Sequence, residues 1–526
     1  MALNAWQRTI IDDTGAAIPD AELEVFIAGT TNKPDIFEDA SGSTALTNPF
    51  NANTNGFARF YVEGGAYDIT ATGNGSSQTW ENVQLGNAQR YDTGTADNEL
   101  PTQADIRNYY GVSYQPSVCP TIDCNFAEGV SRLYDGRKMS EQDDETIFSV
   151  TRGSEATYIA PNGRIKTAGV DELRYQYDPE TGEALGILIE EQRTNLLTYS
   201  EDFTKDDWVK TNATIDSTNT IVAPDGENDA QKIVEDTQTA VTHGVFKRPS
   251  YTDGKTYTLS SFVKASERNF VQIKLHGHQA SFDLSNGSVP YANSSIDDYG
   301  IVEHPDGWYQ IWITQTFISG DAQLTLIGPA KEAGFDGHVY DGDGTSGIYV
   351  WGAQVEEGPA PSSYIPTTDA QVTRGKDRYE RTLGDEHNPI EGTVLIEISE
   401  IRNGNSNGEV VKLMGPNTAN GENFIWFRQV SPQGYVDLFC RVDGTTTADS
   451  SNLQLPAIDK KAAFTYHQDS GYVLYIDGNE MDAFTGVGLV PTNVDTIKSD
   501  GAVYSARAIK YYPRALSATE LEELTK

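Results

Sequence analysis

Cysteine and methionine are scarce, at 3 and 4 among 526 residues. Three cysteines cannot staple a chain of this length, which excludes a disulfide-rich scaffold. Long apolar runs are missing as well. No stretch of eighteen such residues occurs, so no segment reads as a membrane-spanning helix. Cations are in short supply: 38 Lys and Arg face 77 Asp and Glu, a formal net charge of −39. A field of that sign repels phosphate, which argues against nucleic acid and anionic lipid as partners and suits a surface that stays soluble in salt. The opening residues Met1 to Trp6 lack a charged segment followed by an apolar core, so release by assembly or lysis is expected rather than ordinary secretion. Catalytic signatures are also absent: there is no Gly-x-Ser-x-Gly elbow and no P-loop.

Aromatic residues, by contrast, are plentiful at 10%, with 27 Tyr, 19 Phe and 7 Trp, which excludes a disordered chain. The 48 glycines cluster in turn dipeptides along the whole length: Asn55-Gly56, Asn162-Gly163, Asp225-Gly226, Asp253-Gly254, Asp306-Gly307 and Asp477-Gly478. Such pairs tolerate the positive φ angles of tight hairpins. Between them lie short segments of period two. Tyr309, Ile311 and Ile313 share one face, with Trp308, Gln310 and Trp312 on the other; Val394, Ile396 and Ile398 form a second such set. Ile348 to Trp351 is continuously apolar, as expected of a strand covered on both sides. The fold class is all-β: a multidomain β-sandwich and jelly-roll chain with short helices in a linker and at the C-terminus.

One helix is expected over Thr102 to Tyr110, after Pro101. The other follows the capping box Ser517-Ala518-Thr519-Glu520, with Leu516 and Leu521 placed as a hydrophobic staple. Composition divides the chain into a strand-rich block over 1–88, a polar linker with the short helix over 89–118, and a strand-and-turn connecting region over 119–195. A strand-dense block follows over 196–372, and a last block covers 383–526. The basic stretch Thr373 to Arg378 reads as the crossing between the last two. No short repeat and no heptad pattern supports a solenoid or a helical shaft.

Three segments resemble parts of bacteriophage structural proteins. Gly15 to Ala21, Leu46-Thr47-Asn48-Pro49, Asn55-Gly56-Phe57 and Gly65 to Ile69 are similar to the N-terminal virion-attachment domain of tail and head fibres. Thr151-Arg152-Gly153-Ser154-Glu155-Ala156-Thr157-Tyr158, Tyr177-Asp178-Pro179 and Leu188 to Leu197 resemble a module of phage fibres and minor structural proteins. It leads into Gly344 to Glu356, which looks like the closing strand of a carbohydrate-binding jelly roll. Tyr475 to Gly478 and Tyr512 to Ser517 resemble a laminin-G or concanavalin A-like sandwich. The resemblance implies a subunit of a virion appendage, located on the phage particle surface as a tail or head/neck fibre. Its N-terminal domain would join other virion proteins (portal, tail or capsid), and its later sandwiches would meet a host-surface glycan. Homotrimers are also implied by the resemblance. Glycosidases of the concanavalin A-like class carry Glu-x-Asp-x-x-Glu, which Glu397-Ile398-Ser399-Glu400 does not match.

Candidate chemistry is of three kinds. The loop Asp341-Gly342-Asp343-Gly344 alternates carboxylates with glycine, as hard oxygen ligands for a structural calcium would; the alternative is a plain acidic hairpin. Cys119 and Cys124 stand five apart with only Cys440 besides, which leaves a local disulfide or two free thiols and disfavours zinc. Sugar binding needs an aromatic face and hydroxyl-binding polar groups. Trp308, Gln310 and Trp312 (with Tyr309 beside them) are candidates in the middle block, and Trp426 and Tyr435 in the last; the alternative for each ring is a place in a sandwich core. His276-Gly277-His278 would put two imidazoles on one strand face, without a third ligand. No catalytic residue, cofactor or enzymatic activity is expected. The rival functions are a polysaccharide-depolymerising tailspike, which needs two carboxylates across a cleft, and a decoration protein without a receptor.

Overall fold

The computed structural model describes residues 4–10, 17–38, 42–54, 56–63, 65–85, 120–134, 139–318, 324–384, 386–401, 408–418, 421–430, 435–449, 460–484, 491 and 494–526. The chain is all-β, in two compact units, Met1–Cys119 and Pro120–Lys526. The linker 86–118, with the helix expected over 102–110, lies outside the described residues, and so does Cys119. Among the described residues, no helix is long and apolar enough to cross a membrane.

The first unit pairs two four-stranded sheets. One runs in the order Asn4–Thr9, Phe57–Val62, Ile36–Phe37, Ala45–Leu46; the other runs Phe50–Asn51, Glu22–Ile27, Gly65–Gly73, Ser76–Leu85. Period-two burial sends Leu23, Val25, Phe60, Val62 and Ile69 into the shared core with Trp6. Asn48 acts as a surrogate strand residue. It accepts from Val25 N at 3.0 Å and donates to Val25 O at 2.8 Å, which fixes the turn at the Asn-Pro motif.

The second unit holds two sandwiches, one inserted into the other. The middle sandwich faces two six-stranded antiparallel sheets across a core of Leu259, Val263, Val271, Ile273, Phe282, Ile311, Ile313, Ile348 and Val350. Strand Gly347–Glu357 is buried on both sides, as its unbroken apolar run requires. The C-terminal sandwich stacks a ten-stranded sheet on a seven-stranded one, with Val394, Ile396 and Ile398 turned into the core. Strands Ile122–Asn125 and Ala184–Ile189 both pair with Tyr504–Tyr512, so the stretch expected to connect blocks is instead part of this sandwich. The physical reason is burial: Ile122, Cys124, Ile187 and Ile189 share one core with Val394 and Ile509. The middle sandwich is entered through Arg193–Asn195 and left through Val372–Arg374, and these two strands pair with each other.

Local rules hold at the turns and at the C-terminus. The glycines of all six turn dipeptides adopt positive φ, from 71° to 99°. In helix Ala518–Thr525 the capping box closes both ways, with Ser517 N donating to Glu520 Oε2 at 2.9 Å and Glu520 N to Ser517 Oγ at 3.5 Å. Leu516 and Leu521 are buried beside it.

Candidate functional site

Alternation in Trp308–Thr316 turns Trp308, Gln310 and Trp312 away from the main core, but that second face is not open. Trp308 is fully buried in a cluster with Ile165, Phe262, Trp351 and Tyr364, and its Nε1 donates to Val222 O at 3.0 Å. A ring covered on all sides cannot stack on a sugar, so Trp308 is a packing residue and not a platform. Gln310 is half-buried and lines a cavity of ≈ 50 Å³ shared with Glu190, Tyr364 and Tyr504, room for water and not for a sugar. Trp312 is half-buried over Gly300, where an added Cβ would meet its Cζ2 at 2.1 Å, and its Nε1 donates to Asp298.

The cover over this aromatic face comes from the hairpin Ala156–Ile159 and Ile165–Ala168 and from residues 361–365. A buried ionic cluster ties it down. Arg174 Nη1 donates to Thr157 O at 2.9 Å, to Ser363 Oγ at 2.9 Å and to Glu190 at 2.7 Å, while Nη2 meets Asp377. Arg374 reaches Glu190 at 2.9 Å, and Arg152 reaches Asp377 at 3.0 Å. Burial alone would raise the Glu190 carboxyl, but Arg374, Arg174 and the Ser363 hydrogen bonds outweigh it and hold the group well below the usual carboxylate range. The basic stretch at the crossing is therefore basic because it neutralises buried acids. His304 packs edge-on against Phe262 of the aromatic cluster and is kept neutral by burial, its pKa pushed down to about 4.

In the last sandwich, Trp426 is half-buried on the sheet's outer face beside Phe424 and Phe439, with Lys412 Nζ 5.0 Å and Arg428 Cζ 5.2 Å from its ring centroid. Tyr435 begins strand Tyr435–Val442, and its side chain lies outside the described residues. Cys124 and Cys440 are buried thiols outside any disulfide, and burial pushes the pKa of each upward.

The expected calcium loop does not fit a metal. Asp343 Oδ1 accepts from Thr345 N and Ser346 N, Oδ2 accepts from Ser346 Oγ, and Arg268 stands 3.6 Å away. Asp341 accepts from Ala240 N at 2.8 Å. The positive charge beside Asp343 is already a guanidinium. Among the described residues, no group of three or more His, Cys, Asp or Glu gathers to hold an ion. The two histidines expected on one strand face are also separated. His276 and Gly277 form the turn between Phe270–Leu275 and His278–Asp283, at φ 54° and 90°, so His276 folds under Tyr251 while His278 starts the next strand.

The opposite sheet carries a different surface. Val271, Ile273 and Leu275 alternate inward, which turns Gln272 and Lys274 outward; Ala280 and Phe282 do the same for Gln279 and Ser281. Cross-strand register then lines up Gly328, Gln272, Ser281 and Tyr291 in one row, and Leu326, Lys274 and Gln279 in the next. The eight residues 331–338 cross this face. Gly334 N donates to Ser281 Oγ at 3.2 Å, Gln279 Nε2 to Phe335 O at 2.7 Å, and Lys274 Nζ to His338 Nε2 at 2.7 Å. An ammonium only donates, so His338 accepts there as a neutral ring, and burial together with Lys274 pushes its pKa down to about 4. Phe335 is 55% exposed and meets the half-buried Tyr291 edge-on, with ring centroids 6.3 Å apart. The sequence candidates for sugar binding are tryptophans and their neighbours, whereas the alternation at 271–275 and 279–283 is the sequence signal that places these polar side chains on one face.

No protein-family model matches the chain, and no curated protein matches it. Among solved structures, the chain is similar to the CBM40 module of the Ruminococcus gnavus IT-sialidase, at 16% identity and a TM-score of 0.22 over 26% of this chain and 84% of that one. It is similar to domain 4 of a GH43 extracellular arabinanase from Geobacillus stearothermophilus, at 12% identity and a TM-score of 0.22 over 32% and 82%. A Trypanosoma rangeli sialidase aligns at 9% identity and a TM-score of 0.23 over 87% and 65%. Likenesses of that size fix neither a ligand nor an activity here.

Proposed function

We propose that the chain is a non-enzymatic subunit of a phage virion appendage, a tail fibre or head/neck fibre, that attaches to a host-surface glycan through the middle sandwich. The observation that carries this reading is the row Gln272, Ser281 and Tyr291 with Phe335 standing exposed beside it. The Gln272 amide and the Ser281 hydroxyl lie buried beneath residues 331–338, and the half-buried Tyr291 with the exposed Phe335 presents the apolar surface that a sugar's C–H face would meet. The sequence resemblance of residues 1–88 to virion-attachment domains supports anchoring through the first unit. Weak binding at each site would be multiplied by avidity in the homotrimer that the resemblance implies.

Purified full-length chain on a glycan array is the direct test, with reducing ends assayed after incubation with host capsule. Binding without release of reducing ends is the expected outcome. Release of reducing ends would replace attachment with cleavage, and a blank array would favour a decoration protein. Cryo-EM of intact particles gives the location, copy number and symmetry.

A further inference from the structure

Gln272 lacks partners. Its amide is fully buried, yet neither Nε2 nor Oε1 meets a hydrogen-bond partner among the described residues. Its outward-facing polar neighbours Ser281, Gln279 and Lys274 are all engaged, each with the stretch 331–338. That stretch buries no large apolar side chain in exchange: Lys331, Glu332, Ala333, Phe335 and Asp336 are exposed. It is held to the sheet through a hydroxyl, an amide and an ammonium, each of which a hydroxylated ligand can satisfy equally well. Gly334, at φ 113°, and Gly337, where an added Cβ would meet Glu332 O at 2.0 Å, give it a backbone path that other residues would not follow.

We propose that residues 331–338 form a displaceable lid over a buried sugar subsite whose floor is Gln272, and that the ligand presents a vicinal diol to that amide. The chemistry selects the class. A primary amide needs an acceptor for Nε2–H and a donor for Oε1. Two adjacent ring hydroxyls supply both at once. A carboxylate or phosphate only accepts and leaves Oε1 unpaired, which a buried site penalises. With the lid lifted, Ser281, Gln279 and Lys274 turn to further hydroxyls, and Tyr291 remains at the rim for the ring face. The inference deepens the glycan reading and rests on it.

The test uses the full chain, a Gln272→Leu variant and a variant in which 332–336 are replaced by two glycines, each titrated with maltose, cellobiose, lactose and mannobiose. At least one disaccharide should bind the wild type. The shortened lid should bind it about tenfold tighter, because the loop no longer competes, and Gln272→Leu about tenfold weaker. The leucine variant should melt no lower than the wild type, since it removes an unpaired buried amide. Hydrogen exchange at Gly334 should outpace exchange in Phe270–Leu275 and quicken further with sugar. A sugar that binds all three proteins equally, or Gly334 exchange that occurs only on global unfolding, overturns the lid while leaving glycan attachment standing. No binding to either the wild type or the shortened lid overturns the glycan reading and this inference with it.

Discussion

The middle sandwich has two outer faces that answer the same problem in opposite ways. One is aromatic, built on Phe262, Trp308 and Trp351, and its cover is locked by a buried ionic cluster of three arginines and two carboxylates. The other is polar, built on Gln272, Lys274, Gln279 and Ser281, and three side-chain hydrogen bonds hold its cover. Apolar burial and paired buried charge are costly to undo, whereas two neutral hydrogen bonds and one donated by an ammonium net about 1–3 kcal/mol each and exchange with water or ligand. Stability therefore sits on the first face and adaptability on the second.

The comparison breaks if perturbing the two faces has similar consequences. Trp308→Ala should lower stability by about 3–5 kcal/mol, read as a fall in the melting temperature or the denaturant midpoint. Arg174→Met removes one member of the ionic cluster and should cost about 3 kcal/mol at neutral pH. Because Glu190 is held below its unfolded value, the stability it contributes is complete above the ordinary 4.5 and is lost as acid titrates through the folded value. The deficit of Arg174→Met should accordingly shrink in acid, and a deficit constant from neutral pH down would refute the assignment. A histidine held at about 4 against an unfolded 6.5 contributes stability that is complete above 6.5 and fades as pH falls toward 4. His304→Gln should flatten the melting curve in that window through the aromatic face. His338→Gln should instead reduce acid-induced hydrogen exchange in 331–338, because protonated His338 would stand 2.7 Å from Lys274 Nζ. Phe335→Ala is the smallest perturbation: within about 0.5 kcal/mol of wild-type stability, with weaker retention on the glycan that the wild type binds.

Turn chemistry and alternation are legible in the sequence, since both are local. The Asp-Gly and Asn-Gly pairs, the Ser517 capping box and the inward faces of Trp308–Thr316 and Glu391–Ile401 all follow from spacing within a few residues. What spacing could not say is what lies on an outward face. Trp308 shares a face with Gln310 and Trp312 as read, yet its cover arrives from residues such as Ile165 and Tyr364, far away in sequence. The stretch 119–195 reads as a connection for the same reason, since its strand Ile122–Asn125 finds its partner far along the chain at Tyr504–Tyr512. His276 and His278 failed on a different point: separation by two residues means one face only inside a strand, and His276-Gly277 is the turn.

The paired strands Arg193–Asn195 and Val372–Arg374 carry a mechanical consequence. A module strung on a single thread would swivel and would be lost to one protease nick. Here the outgoing and returning threads lie side by side, so a pull on the middle sandwich loads both together, and clipping either one leaves the two fragments joined.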